Sequence, residues 1–73
     1  MDNYMVMVEA VVAHDEAKEI FRAFCEERRA LRAQISPKDA VNDSITAGFE
    51  SDNVKKTVIG KIEKMFPGKI SWR

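Results

Sequence analysis

The sequence predicts an α+β domain in which three helices pack on a small two-stranded sheet formed by the N- and C-terminal strands. Three observations lead there: a valine-rich apolar run over residues 4–13, apolar residues at helical spacing over 15–35 and 52–66, and an alternating tail, KISWR. An all-α bundle is the alternative, should residues 4–13 be helical. Seventy-three residues are enough for one small domain spanning 1–73. A chain of that size buries only about 60% of its unfolded surface, so its core has little to spare.

The run YMVMVEAVVA is continuously apolar apart from Glu9 and rich in β-branched residues, which favours a strand covered on both faces. Met, Glu and Ala are good helix formers, so a short helix competes with it. Along residues 15–35, Ala17, Ile20, Phe24, Leu31 and Ile35 share one side at 100° per residue, with Phe21 and Cys25 at its edge. Lys18, Glu19, Arg22, Glu26 and Arg29 take the other side. Asp15 and Glu16 stand in the first turn, where the helix dipole favours acids.

Ser36-Pro37 then reads as N-cap and first helical residue, with Asp39 completing a capping-box-like start to a short helix ending before Gly48. A last helix begins at Ser51 or Asp52, carries Val54, Val58, Ile62, Met65 and Phe66 on one stripe, and stops at Pro67-Gly68. In the tail, Ile70 and Trp72 alternate with Lys69, Ser71 and Arg73. A lone strand is unstable, so the tail is expected to pair with residues 4–13.

Twelve basic and twelve acidic residues cancel, which removes the simplest electrostatic case for nucleic acid or membrane. A single cysteine, Cys25, forms no internal disulfide and fits a reducing, cytoplasmic setting. The N-terminal run is preceded by Asp2 with no Lys or Arg, and falls short of the roughly 20 apolar residues that span a bilayer. Neither a targeting segment nor a membrane association is expected.

Residues 43–60, DSITAGFESDNVKKTVIG, carry the one motif of note. Ser44, Gly48 and Val54 have the spacing of a small residue, a turn glycine and a branched apolar residue, with Phe49 after the glycine. The segment thus resembles the helix-turn-helix of repressor and Cro-type regulators, and the resemblance implies DNA contacts from Ser51, Lys55 and Lys56. Against it, that geometry points Asp43 inward and Ile45 to water, and sets Glu50 and Asp52 first against phosphate. A helical hairpin with a glycine corner accounts for the same residues.

Catalysis has little foothold. His14 and Cys25 are eleven residues apart, roughly 16 Å along a helix, beyond nucleophile–base reach. Cys25 beside Phe21 and Phe24 reads as a small buried hydrophobe. His14-Asp15-Glu16 are adjacent on a helix and do not converge, no zinc set exists, and no cofactor or metal is expected.

The expected function is therefore a non-enzymatic protein-binding module: an inhibitor, adaptor or regulatory subunit, with a Cro-like DNA-binding regulator as the alternative. Arg28 falls inside the apolar arc with Arg32 nearby, and Arg beside Phe21 has the makeup of a binding hot spot. Trp72 is a second candidate anchor. A core this small also favours a homodimer through the N-terminal strand. The size is that of many regulators encoded by phages and plasmids.

Overall fold

A computed structural model describes residues 5–73. The chain runs β1 (Val6–Ala13), α1 (His14–Glu26), β2 (Ala30–Pro37), β3 (Asn42–Phe49), α2 (Asp52–Met65) and β4 (Ile70–Trp72). The strands form one antiparallel sheet in the order β2-β3-β1-β4. This is the split β-α-β arrangement called ferredoxin-like, in which two helices cross the same face of a four-stranded sheet.

Strand parity sorts the side chains. Val8, Ala10 and Val12 on β1 oppose Ala47, Ile45 and Asp43 on β3, and this face carries the helices. Ala17, Ile20 and Phe24 of α1 and Val58 and Ile62 of α2 bury against it with Phe49. The opposite face has no helix: Met7 on β1 and Arg32 and Gln34 on β2 are exposed there, while Ser44 and Gly48 on β3 are shielded by neighbouring side chains, Glu9 at Ser44 and Met5 and Met7 at Gly48. The α1 N-terminus has no side-chain cap; instead the His14 amide donates to the Val41 carbonyl at 2.9 Å. Ser51 caps α2 by accepting from the Val54 amide at 3.2 Å.

The structure overturns the expected architecture. There are two helices and four strands among the described residues, neither three helices on a two-stranded sheet nor an all-α bundle. The N- and C-terminal strands pair, Ala10 opposite Trp72, but as half of a larger sheet. Tyr4, placed at the start of the first strand, lies outside the described residues.

The error lies between Glu27 and Phe49. Leu31 and Ile35 continue the stripe of Phe24 at helical spacing, yet Arg32, Ala33, Gln34, Ile35 and Ser36 also alternate, and the alternation wins. Helix α1 ends because the Glu27 carboxylate folds back. It accepts from the Arg29 amide at 3.2 Å and from Arg29 Nε at 2.8 Å, fixing a tight turn. Pro37 ends an edge strand instead of opening a helix, and Asp39 caps the hairpin by accepting from the amides of Val41 and Asn42.

Residues 43–60 are consequently a strand and the first part of α2, and the helix-turn-helix does not exist. Asp43 is buried, as that motif required, but on a strand and paired with His14. Ser51 is spent as a cap, and Lys55 and Lys56 both reach Asp52, at 3.3 and 3.4 Å, so no open basic ridge forms.

Candidate functional site

β2 is the longer of the sheet's two edge strands, and its backbone parity decides what that edge offers. The Lys38 amide donates to the Asn42 carbonyl at 3.1 Å, and the register then alternates: Ser36 and Gln34 exchange ladder bonds with Ser44 and Thr46. The same parity carried across the sheet predicts a bond between Glu9 and Arg73, and the Arg73 amide does donate to the Glu9 carbonyl at 2.8 Å. Ala33 and Ile35 therefore turn their amides and carbonyls outward, while their side chains face the helices. A bulge between Ala30 and Arg32 limits this edge at one end. Pro37, which has no N–H, limits it at the other. The usable length is residues 33–36.

Beside that edge runs α1. Buried Ala17, Ile20 and Phe24 fix its inward side, and Glu16 pairs with Lys69 towards β4. The flank towards β2 therefore carries His14, Lys18 and Phe21. A cavity of about 300 Å³ opens between the two elements, lined by His14, Lys18, Ile35, Ser36, Pro37 and Asp43. Two of the exposed large apolar residues stand at the ends of the same edge: Leu31 at the bulge, 58% exposed, and Val41 beside the His14 amide, 67% exposed.

At the cavity wall, His14 Nδ1 donates to both carboxylate oxygens of Asp43, at 3.1 Å from each. Asp43 is 7% exposed and the imidazole turns its other nitrogen outward. A carboxylate-oriented histidine supplies two of the three members of a catalytic triad, but no nucleophile hydrogen-bonds to the imidazole among the described residues. Ser36 opposes Ser44, so its hydroxyl belongs to the uncovered face and not to the histidine side. Among the described residues no three metal-ligating side chains converge. The pair's plain effect is to tie the start of α1 to β3.

The residues singled out from the sequence do not form one patch. Arg28 lies in the turn after α1, exposed and outside any apolar arc, because the helix ends before it. Arg32 projects from β2 on the uncovered face, opposite Gly48. Phe21 is half-buried on the α1 flank that faces the cavity. Trp72 is on the far edge strand, its ring edge-on to Phe24 at 6.1 Å and its Nε1–H donating to Glu63 Oε1 at 2.9 Å. It seals the core. Cys25, expected to be buried, is exposed.

β1, expected to carry a dimer edge, is paired with β3 along its length and with β4 over Ala10–Val12, whereas β2 is paired on one side only. Lys18, Ile35, Pro37 and Asp43 were missed as site residues. The alternation of residues 32–36 ahead of a proline was the signal for an edge strand there.

No known protein family and no curated protein matches this chain. No helix among the described residues is long and apolar enough to cross a membrane.

Proposed function

We propose that this protein is a non-enzymatic protein-binding module, an inhibitor, adaptor or regulatory subunit, that takes an extended segment of its partner as an added strand on β2. One observation carries the reading: the outward amides and carbonyls of Ala33 and Ile35 lie beside an apolar cavity of about 300 Å³. Strand addition gains affinity from main-chain hydrogen bonds and selectivity from pockets that take alternate side chains. The bulge and Pro37 confine the edge to about four residues, which guards against indiscriminate pairing while leaving room for one short segment. An exposed thiol at Cys25 favours a reducing, cytoplasmic setting.

A selection from a random-peptide display library against wild type and Ala33→Pro tests this. The Ala33 amide makes no ladder bond, so proline there removes the outward donor without breaking the sheet. Peptides that bind wild type and lose at least tenfold in affinity on Ala33→Pro support the reading. Peptides indifferent to the change, or none enriched, overturn it. Sedimentation of a doubled mass that Ala33→Pro returns to monomer would assign the edge to a second copy and remove the foreign partner.

A further inference from the structure

We infer that the segment added to β2 carries a hydrogen-bond-donating aromatic side chain, tryptophan or tyrosine, opposite Ile35, with its ring in the cavity and its N–H or O–H on His14 Nε2. This rests on the strand-addition reading and names the side chain that anchors the partner.

Parity puts one side chain of an added strand into the cavity. Strand β2 turns Ala33 and Ile35 towards the helices, and side chains directly opposite one another in paired strands share a face. A residue opposite Ile35 therefore projects towards α1, where Ile35, Pro37, His14 and Lys18 line the space of about 300 Å³. A residue opposite Gln34 projects to the other face of the sheet. Volume sets the size of the guest. A cavity of roughly 150 Å³ holds a benzene molecule, so this one admits a ring with a substituent or a fused pair.

Chemistry selects among rings. Ile35 and Pro37 give an apolar floor. Asp43 is buried and its carboxylate only accepts hydrogen bonds, so His14 Nδ1, 3.1 Å from both oxygens, carries the proton of the neutral imidazole. Nε2 is then a bare acceptor, on a ring oriented by a residue of an interior strand. An acceptor beside an apolar floor is complementary to an aromatic side chain that ends in a donor. Lys18 lies one turn along α1 from His14 on the same wall, and its ammonium supplies a cation for the ring face. The Asp43 carboxylate and the Nε2 lone pair disfavour an acid in the same place. An aliphatic side chain covers the floor but gives nothing to the acceptor.

Peptides from the display selection, synthesised with a fluorophore and titrated by anisotropy, provide the test. Those whose binding depends on Ala33 should share Trp or Tyr at one position. Replacing that residue by Phe should weaken binding to wild type about two- to tenfold. Lys18→Met, which keeps an apolar stem, should cost the aromatic peptide about two- to fivefold and leave a version with Leu at that position unchanged. In His14→Ala the difference between the donor-bearing peptide and its Phe version should disappear, with circular dichroism showing the fold intact. Should that variant unfold, the Phe replacement and Lys18→Met decide by themselves. Ala33-dependent peptides without a shared Trp or Tyr, or for which Phe binds as well, or whose preference Lys18→Met and a folded His14→Ala leave unchanged, overturn the side-chain assignment while leaving strand addition in place. Absence of any Ala33-dependent peptide overturns both.

Discussion

Glu27 does the work of several residues. It is almost completely buried, yet three groups converge on it: the Arg29 amide, Arg29 Nε at 2.8 Å and Lys61 Nζ at 3.1 Å from α2. The hydrogen bond from Arg29, reinforced by Lys61, holds its pKa down to about 2 against burial, which pushes the other way. A folded pKa below the ordinary 4.5 means the stabilisation is present in full above pH 4.5 and is lost as pH falls towards 2. Chemical denaturation should therefore show stability declining through that window. In Glu27→Gln the decline should be smaller and stability at pH 7 lower by about 2 kcal/mol. An unchanged acid limb in the variant would remove Glu27 as the cause.

The glycines separate at the same scale. Gly60 lies inside α2 with nothing within 4 Å of where a Cβ would stand, so Gly60→Ala should stabilise by about 0.5–1 kcal/mol and raise Tm by about 4 °C. Gly68 has φ +71° in the turn before β4, and Gly68→Ala there should cost about 1 kcal/mol. Thermal unfolding of the two variants in opposite directions checks both.

At the scale of elements, the ends of the chain were legible and the middle was not. Helix α2 carries a cap, a stripe and a stop that all agree: Ser51, Val54 to Ile62, and Pro67-Gly68. Residues 30–37 carry two periods at once. Phe24, Leu31 and Ile35 fit a helix, while Ala33 and Ile35 against Arg32, Gln34 and Ser36 fit a strand, and no glycine or proline separates them from α1. The break comes from the Glu27 side chain, a tertiary contact with Lys61 thirty-four residues away, which local reading does not contain. Asn42–Phe49 was misread for a related reason. Ser44, Thr46 and Gly48 are small, and in a strand opposite β1 they form the face turned away from the helices, not a weak helix. Of the candidate site, Phe21 is the named residue that flanks the groove; Lys18 and Pro37 become visible only once β2 is an edge. Element by element, Ala33→Pro should leave far-UV circular dichroism unchanged, whereas Ala47→Pro, in the interior strand, should abolish the fold. Loss of structure in Ala33→Pro would show that its amide is not outward.

For the whole molecule, one small core serves both helices. Phe24, Phe49, Ile20 and Ile62 are essentially inaccessible and belong to a single cluster spanning α1, β3 and α2. A domain of this size has roughly 4–11 kcal/mol of stability in total, and truncating a buried phenylalanine costs about 3–5 kcal/mol. Phe24→Ala also removes the ring against which Trp72 packs at 6.1 Å, so it should lower Tm by at least 15 °C or unfold the chain, with tryptophan emission shifting to the red at the same midpoint. Two separate midpoints would mean that β4 comes away by itself. Acid should act in the same cooperative manner. Glu9, Asp39, Asp52 and Glu63 are all held below the ordinary carboxylate range by hydrogen bonds, from Ser44, Val41, Lys55 and Trp72 respectively. Each then contributes at neutral pH and is lost on acidification.

The lone thiol at Cys25 has a practical consequence. It sits near the end of α1, accessible, and is the only sulfhydryl in the sequence. A maleimide dye would attach there and nowhere else, one turn beyond Phe21, close enough to register a visitor settling alongside β2 as a change in brightness. The same accessibility means that samples left in air without reductant will couple tail to tail into covalent pairs, and such pairs should not be mistaken for a native assembly.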